Sequence, residues 1–207
     1  MNIPLRALLL SVILGIAASA QGQVNIVNFD FGAVRISCGS GYAYEWPGAP
    51  GCRGPYQFPM QDFNSAPGFG WIFSLSPGIE TGGAGLTGPN TAFSPPSFEG
   101  MPFNQAVFLQ NRGTFVWQQI AGFTAGNYIL SFYLGSRCGF SGQQTVQASI
   151  DGRVIGAWQL ADCTPFALET ANFSVGTNGS HTLEFTGMNF GDHTAFLSYV
   201  TITPTGR

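Results

Sequence analysis

The sequence predicts an all-β protein, an antiparallel β-sandwich, on three observations. Between Gln105 and Ile202, short runs alternate apolar and polar residues at period two, the pattern of strands with one buried and one wet face. Each run is closed by Gly, Asn, Asp or Ser, the residues that tight antiparallel connections use. No stretch reads convincingly as a helix, and there is no internal repeat or heptad.

The elements follow in order. Val24–Ile36 reads as a first strand, with Val24, Ile26 and Asn28 on one parity and Val27, Phe29 and Phe31 on the other. Residues 37–104 form a long loop-rich insertion, dense in Gly, Pro, Phe and Ser. Within it, Gly70–Leu75 is the clearest strand, and Pro59–Asn64 allows a one-turn helix. So long a run without structure is rare in a compact domain, so it is expected to lie against the sandwich, held by its aromatics and a disulfide. Regular strands are then expected at Gln105–Gln110, Phe115–Ile120, Ala125–Tyr133, Thr145–Asp151, His181–Gly187 and Thr194–Ile202.

Parity assigns faces. Tyr128, Leu130, Phe132 and Leu134 form one core row; Val146, Ala148 and Ile150 form a second, and His181, Leu183 and Phe185 a third. The outward rows are then Ile129, Ser131, Tyr133, Gly135 and Arg137; Thr145, Gln147 and Ser149; Thr182, Glu184 and Thr186. These supply hydroxyls, an amide, a guanidinium, a carboxylate and an aromatic ring, which is a hydrogen-bonding palette suited to a sugar.

Residues 1–20 read as a cleavable secretory signal peptide: Arg6 is a minimal positive region, Ala7–Ala17 an apolar stretch, and Ala18-Ser19-Ala20 a small-residue cleavage site. The apolar stretch is shorter than the roughly 20 residues that a membrane span needs, and no later stretch is longer. Residues 21–207 are expected to form one domain, located outside the cytoplasm, in the extracellular space or periplasm. Charged residues make up 8% of the chain, and all its positive charge is arginine. Loss of Arg6 would take the net charge from −3 to −4. That balance excludes nucleic acid as a partner, because phosphate binding needs a basic surface. A nearly neutral surface rich in aromatic and amide groups suits neutral sugars, and suits association with copies of itself equally well.

Four cysteines in a secreted chain, Cys38, Cys52, Cys138 and Cys163, imply two disulfides. Of the three connectivities, Cys38–Cys52 with Cys138–Cys163 is favoured because each staples a local excursion, the other two remaining open. No clustered Cys/His spacing is present to hold zinc.

The succession Gln105–Gln110, Val116-Trp-Gln-Gln-Ile120, Ala125-Gly-Asn-Tyr128, Leu130-Ser-Phe-Tyr133 with Arg137, Thr145–Gly152, Ser180–Gly187 and Thr194–Ile202 resembles the galactose-binding-like β-jelly-roll superfamily. That is the sandwich of many carbohydrate-binding modules. The resemblance extends to secreted bacterial relatives of plant cell-wall proteins with a domain of unknown function, and Asn28-Phe-Asp-Phe31 is similar to the opening of that group. It implies a jelly roll over most of residues 21–207. In related modules the opening ends in Glu and the last strand carries Asp, and both can ligate a structural calcium. Here Gly32 and Ser198 stand at those places, so the usual calcium site is expected to be absent or rebuilt, and no metal or cofactor is expected.

Catalysis finds little support. A glycosidase needs two carboxylates facing each other about 5–9 Å apart, and the outward rows offer Glu184 without a partner. His181 lies on a core parity, His193 follows Asp192 in a turn, and no Gly-x-Ser-x-Gly elbow supplies a nucleophile. The expected ligand contacts are stacking by Trp117, Trp158 and Tyr133 and hydrogen bonds from Arg137, Gln147 and Glu184. The sequence thus points to a secreted, non-catalytic module that binds a polysaccharide or glycan of a cell surface or matrix. The alternative is a structural subunit that self-assembles into an extracellular layer or fibre, through Phe/Gly/Pro-rich loops buried against a neighbour. Expression of the full chain in a secreting bacterial host is expected to yield a mature N-terminus at Gln21, and intact-mass measurement checks it.

Overall fold

The computed structural model describes residues 24–33, 42–44, 68–74, 83–89, 95–139 and 142–206. Its strands are β1 (Tyr42–Tyr44), β2 (Ile72–Phe73), β3 (Gly83–Thr87), β4 (Ala106–Gln110), β5 (Phe115–Phe123), β6 (Gly126–Ser136), β7 (Gln144–Ile150), β8 (Arg153–Leu160), β9 (Ala167–Val175), β10 (Gly179–Gly187) and β11 (Thr194–Pro204). They build a six-stranded sheet, in the order β1-β3-β4-β11-β6-β9, and a five-stranded sheet, in the order β2-β5-β10-β7-β8. Every pairing is antiparallel. The expected all-β antiparallel sandwich is the fold found.

From β4 to β11 the chain changes sheet at every connection except the β7–β8 hairpin. Each apolar row therefore meets a row from the opposite sheet. Tyr128, Leu130, Phe132 and Leu134 of β6 face Val146 and Ala148 of β7 and Leu183 and Phe185 of β10 across one buried core. At the β5–β6 corner the Tyr128 hydroxyl donates to the Thr124 carbonyl at 2.7 Å and accepts from the Thr124 N–H at 3.0 Å. A fully buried phenol is thereby satisfied, and the crossing between sheets is fixed.

The segment beginning at Val24 is not a strand. Asn28 (φ 53°) and Phe31 (φ 57°) adopt left-handed conformations that reverse the chain. The reversal buries Val24, Ile26 and Phe31 together, and the Phe31 ring packs 4.9 Å from that of Trp71. The Val27 backbone is held by the buried Gln118 side chain, which accepts from its N–H and donates to its carbonyl, both at 2.9 Å. One amide side chain thus does what a neighbouring strand would have done.

A second departure concerns the outer side of the six-stranded sheet. Phe98 and Phe103, from the end of the loop-rich region, pack with Ala106, Phe108, Phe166 and Phe196 into a smaller apolar cluster on that side. The row expected to be wet from Ile129 to Arg137 is therefore partly covered. Gly135 is buried, and a Cβ there would lie 3.0 Å from Cγ of Pro96.

Cys138 and Cys163 are joined in a disulfide across 25 residues of chain. It ties the connection after β6 to the one after β8, where the Ser136 N–H donates to the Thr164 carbonyl at 3.0 Å and the Cys163 N–H to the Arg137 carbonyl at 2.9 Å. The expected Cys38–Cys52 pair and the one-turn helix at Pro59–Asn64 lie outside the described residues. Replacing Cys138 and Cys163 together by Ser is expected to lower stability by about 3 kcal/mol, from the loop-closure entropy restored to the unfolded chain. The midpoint of guanidinium unfolding reads this out.

Candidate functional site

The five-stranded sheet carries the first candidate site on its outer face. In β5, Val116, Gln118 and Ile120 point inward, so Phe115, Trp117 and Gln119 point outward. In β10, His181, Leu183 and Phe185 are inward and Thr182, Glu184 and Thr186 outward. Register sets Trp117 directly across from Glu184. Glu184 in turn pairs with Ser149, and Thr186 with Gln147. Three of the six residues singled out from the sequence, Trp117, Gln147 and Glu184, are thus brought onto one face. All three are half-buried. The Thr186 hydroxyl donates to Glu184 Oε1 at 3.0 Å, which orients the carboxylate.

The other three lie elsewhere. Tyr133 is on the outer side of the six-stranded sheet, its ring 5.4 Å from Phe103 and 6.2 Å from Tyr199. Arg137 donates from Nη1 to Asp192 Oδ1 at 2.8 Å, with its side chain 11% exposed; the same carboxylate oxygen accepts from the Gln110 amide. The expectation that Tyr133 and Arg137 share an open row is therefore corrected: Pro96 covers Gly135 between them, and the guanidinium is turned to a carboxylate. Trp158 points inward, with its ring edge-on to Phe132 at 4.9 Å. It folds back over Gly156, where a Cβ would come within 2.4 Å of the indole.

The place where related modules can hold calcium is built differently here. The Ser198 hydroxyl donates to the Gln105 carbonyl at 2.8 Å and lies 3.3 Å from the Asp30 carbonyl, and the Gln105 amide donates to the Phe31 carbonyl at 2.6 Å. The Asp30 carboxylate is turned to the Gly32 N–H at 3.0 Å. The chain's own donors thus bond the Asp30, Phe31 and Gln105 carbonyls and Asp30 Oδ1 where Gly32 and Ser198 stand.

A second site was missed in the sequence. Asp151 (φ 49°) and Gly152 (φ 77°) form the two-residue turn joining β7 to β8, and the positive φ values at both positions mark a type I′ hairpin. The Asp-Gly pair was the available signal. The turn aims Asp151 at β10: its Oδ1 accepts from the Thr182 N–H at 2.8 Å and its Oδ2 lies 2.5 Å from His181 Nδ1. His181 Nε2 lies 3.0 Å from the Thr177 carbonyl. Both ring nitrogens face acceptors, so both contacts are hydrogen bonds only when the ring carries both protons. Burial is the strongest single influence on His181 and pushes its pKa down, but the bonds to Asp151 and Thr177 and the carboxylate charge outweigh it and leave the pKa raised above 6.5. Burial likewise pushes Asp151 up, and the bonds from His181 and the Thr182 N–H with the imidazolium charge hold it below 3.8. The pair lies in an open cleft of about 750 Å³ at the edge of the sandwich, between Arg153–Ile155 of β8 and Asn172–Val175 of β9.

No protein-family model matches the chain, and no curated protein does. Solved structures do. The chain is similar to an apo cyclase from Fischerella sp. at 16% identity and a TM-score of 0.57, covering 91% of this chain and 100% of that one. It is similar to a cyclase from Fischerella sp. TAU in complex with 4-(1H-indol-3-yl)butan-2-one at 14% identity and a TM-score of 0.56, covering 89% of this chain and 99% of that one. The CBM22-1 xylan-binding domain from Paenibacillus barcinonensis gives 12% identity and a TM-score of 0.47, over 67% of this chain and 87% of that one. At such identities the likeness to the cyclases is one of fold alone.

The Asp151–His181 pair makes stability depend on pH. Because the folded pKa of His181 is raised, its contribution is full below about pH 6.5 and is lost as pH rises through the folded value. Because that of Asp151 is lowered, its contribution is full above about pH 3.8 and is lost as pH falls through the folded value. Asp151→Asn keeps a residue suited to the turn and removes the charge. Thermal melts from pH 3 to 9 are expected to show the largest deficit of this variant between those limits, about 1 kcal/mol after allowance for the half-exposed carboxylate.

Proposed function

We propose that this protein is a secreted, non-catalytic module that holds a polysaccharide or glycan of a cell surface or matrix across the outer face of its five-stranded sheet. The observation that carries the reading is the placement of Trp117 directly across from Glu184, with Gln147 one strand further on. Strands lie about 4.8 Å apart, so the three side chains span about 10 Å across three neighbouring strands. The indole offers a flat apolar surface to the C–H face of a sugar ring. Glu184, oriented by Thr186, accepts from ring hydroxyls, and the Gln147 amide both donates and accepts. The rigid sheet holds them in place before a ligand arrives, which lowers the entropic cost of binding.

Two facts support a holding role over a cutting one. Among the described strand residues of this face, Glu184 is the only carboxylate, whereas hydrolysis of a glycosidic bond uses two. The Asp151–His181 pair has both imidazole nitrogens engaged, leaving none to accept a proton.

A glycan array probed with the secreted chain and with Trp117→Ala and Glu184→Gln tests the reading. Each variant is expected to lose at least about tenfold in affinity for the glycan the wild type selects, a cost of about 1.4 kcal/mol or more, with thermal melts confirming that it is folded. Affinity that survives both substitutions, or is lost instead on Tyr133→Ala, would place the site off this face.

A further inference from the structure

The open edge of the sandwich is a site in its own right. β8 hydrogen-bonds only to β7 and β9 only to β6, so both are edge strands, and they face each other across the cleft. Trp158 closes one end of this edge by reaching over Gly156 to Phe132. Toward Arg153 nothing comparable fills the gap among the described residues, and the space of about 750 Å³ remains. That lies within the size range of small-molecule sites, about 300–1,000 Å³. Its floor is apolar, from Tyr128, Phe173 and Val175. Its walls are strand segments of β8 and β9, Arg153–Ile155 and Asn172–Val175, with backbone groups on the open sides of the two strands.

The charge of the cleft selects the ligand. Asp151 is the one carboxylate lining it, and both its oxygens are engaged, by the His181 ring and the Thr182 N–H. Arg153 is exposed and lines the same cleft. Of the described arginines, Arg137 is paired with Asp192 and Arg112 lies over the Phe190 ring at 4.9 Å, whereas Arg153 has neither kind of partner. With both Asp151 oxygens held by bonds within the chain, the Arg153 guanidinium is the charged group of the cleft with its donors open, in a chain whose formal net charge is −3 with its histidines neutral. A guanidinium with its donors open favours a planar carboxylate, which it binds in a bidentate fork.

We propose that this edge cleft is a second binding site, taking a carboxylate-bearing sugar, a uronic acid unit, with its carboxylate on Arg153, its ring against the apolar floor and its hydroxyls on the open backbone groups of the two edge strands. The site shares no residue with the Trp117 face, so it stands or falls independently of the reading given above.

The test titrates galacturonate and glucuronate, and their neutral counterparts galactose and glucose, into the full ¹⁵N-labelled secreted chain. The uronates are expected to shift the amide signals of Arg153, Asn172 and Ser174 and to bind at least tenfold more tightly than the neutral sugars. Arg153→Gln is expected to weaken uronate binding at least tenfold without moving the melting temperature, and Trp117→Ala to leave it unchanged. Acetate, a carboxylate without a ring, is expected to bind more weakly than either uronate. Any one of several results overturns the proposal: no uronate binding, equal binding of the neutral sugars or of acetate, shifts confined to the Trp117 face, or full affinity in Arg153→Gln. Loss of array binding in the Trp117 variant with intact uronate binding would uphold both sites. An array signal indifferent to Trp117 would remove the first and leave the second standing.

Discussion

The structure depends on satisfying backbone that is buried but irregular. A buried N–H or C=O without a partner costs about as much as a lost hydrogen bond, and a sandwich whose chain changes sheet at nearly every connection has many such groups outside its ladders. Here buried amide side chains supply the partners. Gln118 pairs with both backbone groups of Val27. Gln105 bonds the Phe31 carbonyl. Gln144 accepts from the Met188 and Asn189 N–H groups and donates to the His193 carbonyl, and so closes the β10–β11 connection. Asn111 accepts from the Gly191 N–H in the same loop. A carboxylate in place of Gln118, Gln105 or Gln144 would lack the donor and would add the cost of a buried charge. The low charge of the chain and its wealth of amides are two sides of one solution.

The same constraint arranges the surfaces. At one end the β10–β11 loop is pinned by Gln144, Asn111 and the Arg137–Asp192 ion pair, and the nearby disulfide ties two further connections. The outer side of the six-stranded sheet is partly sealed by Phe98, Phe103 and Phe166. Among the described residues, the outer face of the five-stranded sheet and the edge beside the β7–β8 turn stay open. The two differ in chemistry. The face is flat and carries an indole with one carboxylate, whereas the edge is concave and carries a guanidinium beside a carboxylate already hydrogen-bonded at both oxygens.

Period two made the inner rows legible. Tyr128 to Leu134, Val146 to Ile150 and Leu183 with Phe185 all stand where alternation puts them. Alternation says which residues share a side, but not whether a second layer covers that side, and this is why Tyr133 was read as open. Nor does it say which backbone groups a buried amide bonds, so the parts played by Gln105 and Gln144 are found only in the structure. Val24–Ile36 failed for a local reason, since left-handed Asn28 and Phe31 bury residues of both parities. β9 was passed over because its apolar row is short, Ala171, Phe173 and Val175 alone. With β9 unseen, the edge cleft between it and β8 could not be found, although the Asp-Gly turn that aims Asp151 was in plain view.

The Asp151–His181 pair shows that hydrogen-bond partners, and not residue identity alone, set what a carboxylate–histidine pair can do. A carboxylate on Nδ1 is the arrangement that orients a histidine for general-base work, and it lies here in a cleft. The difference from that arrangement lies at Nε2. In a catalytic histidine that nitrogen faces the group whose proton it takes; in this chain it faces the Thr177 carbonyl four residues upstream, an acceptor with no proton to give. The raised pKa of His181 has the same origin as the contact, since two acceptors stabilise the ring only while it is charged. Asp151 is thereby engaged at both oxygens, whereas Arg153 lines the same cleft with no bonded partner among the described residues. A constellation that resembles a dyad by composition acts, by its hydrogen bonds, as a structural clamp on the β7–β8 turn.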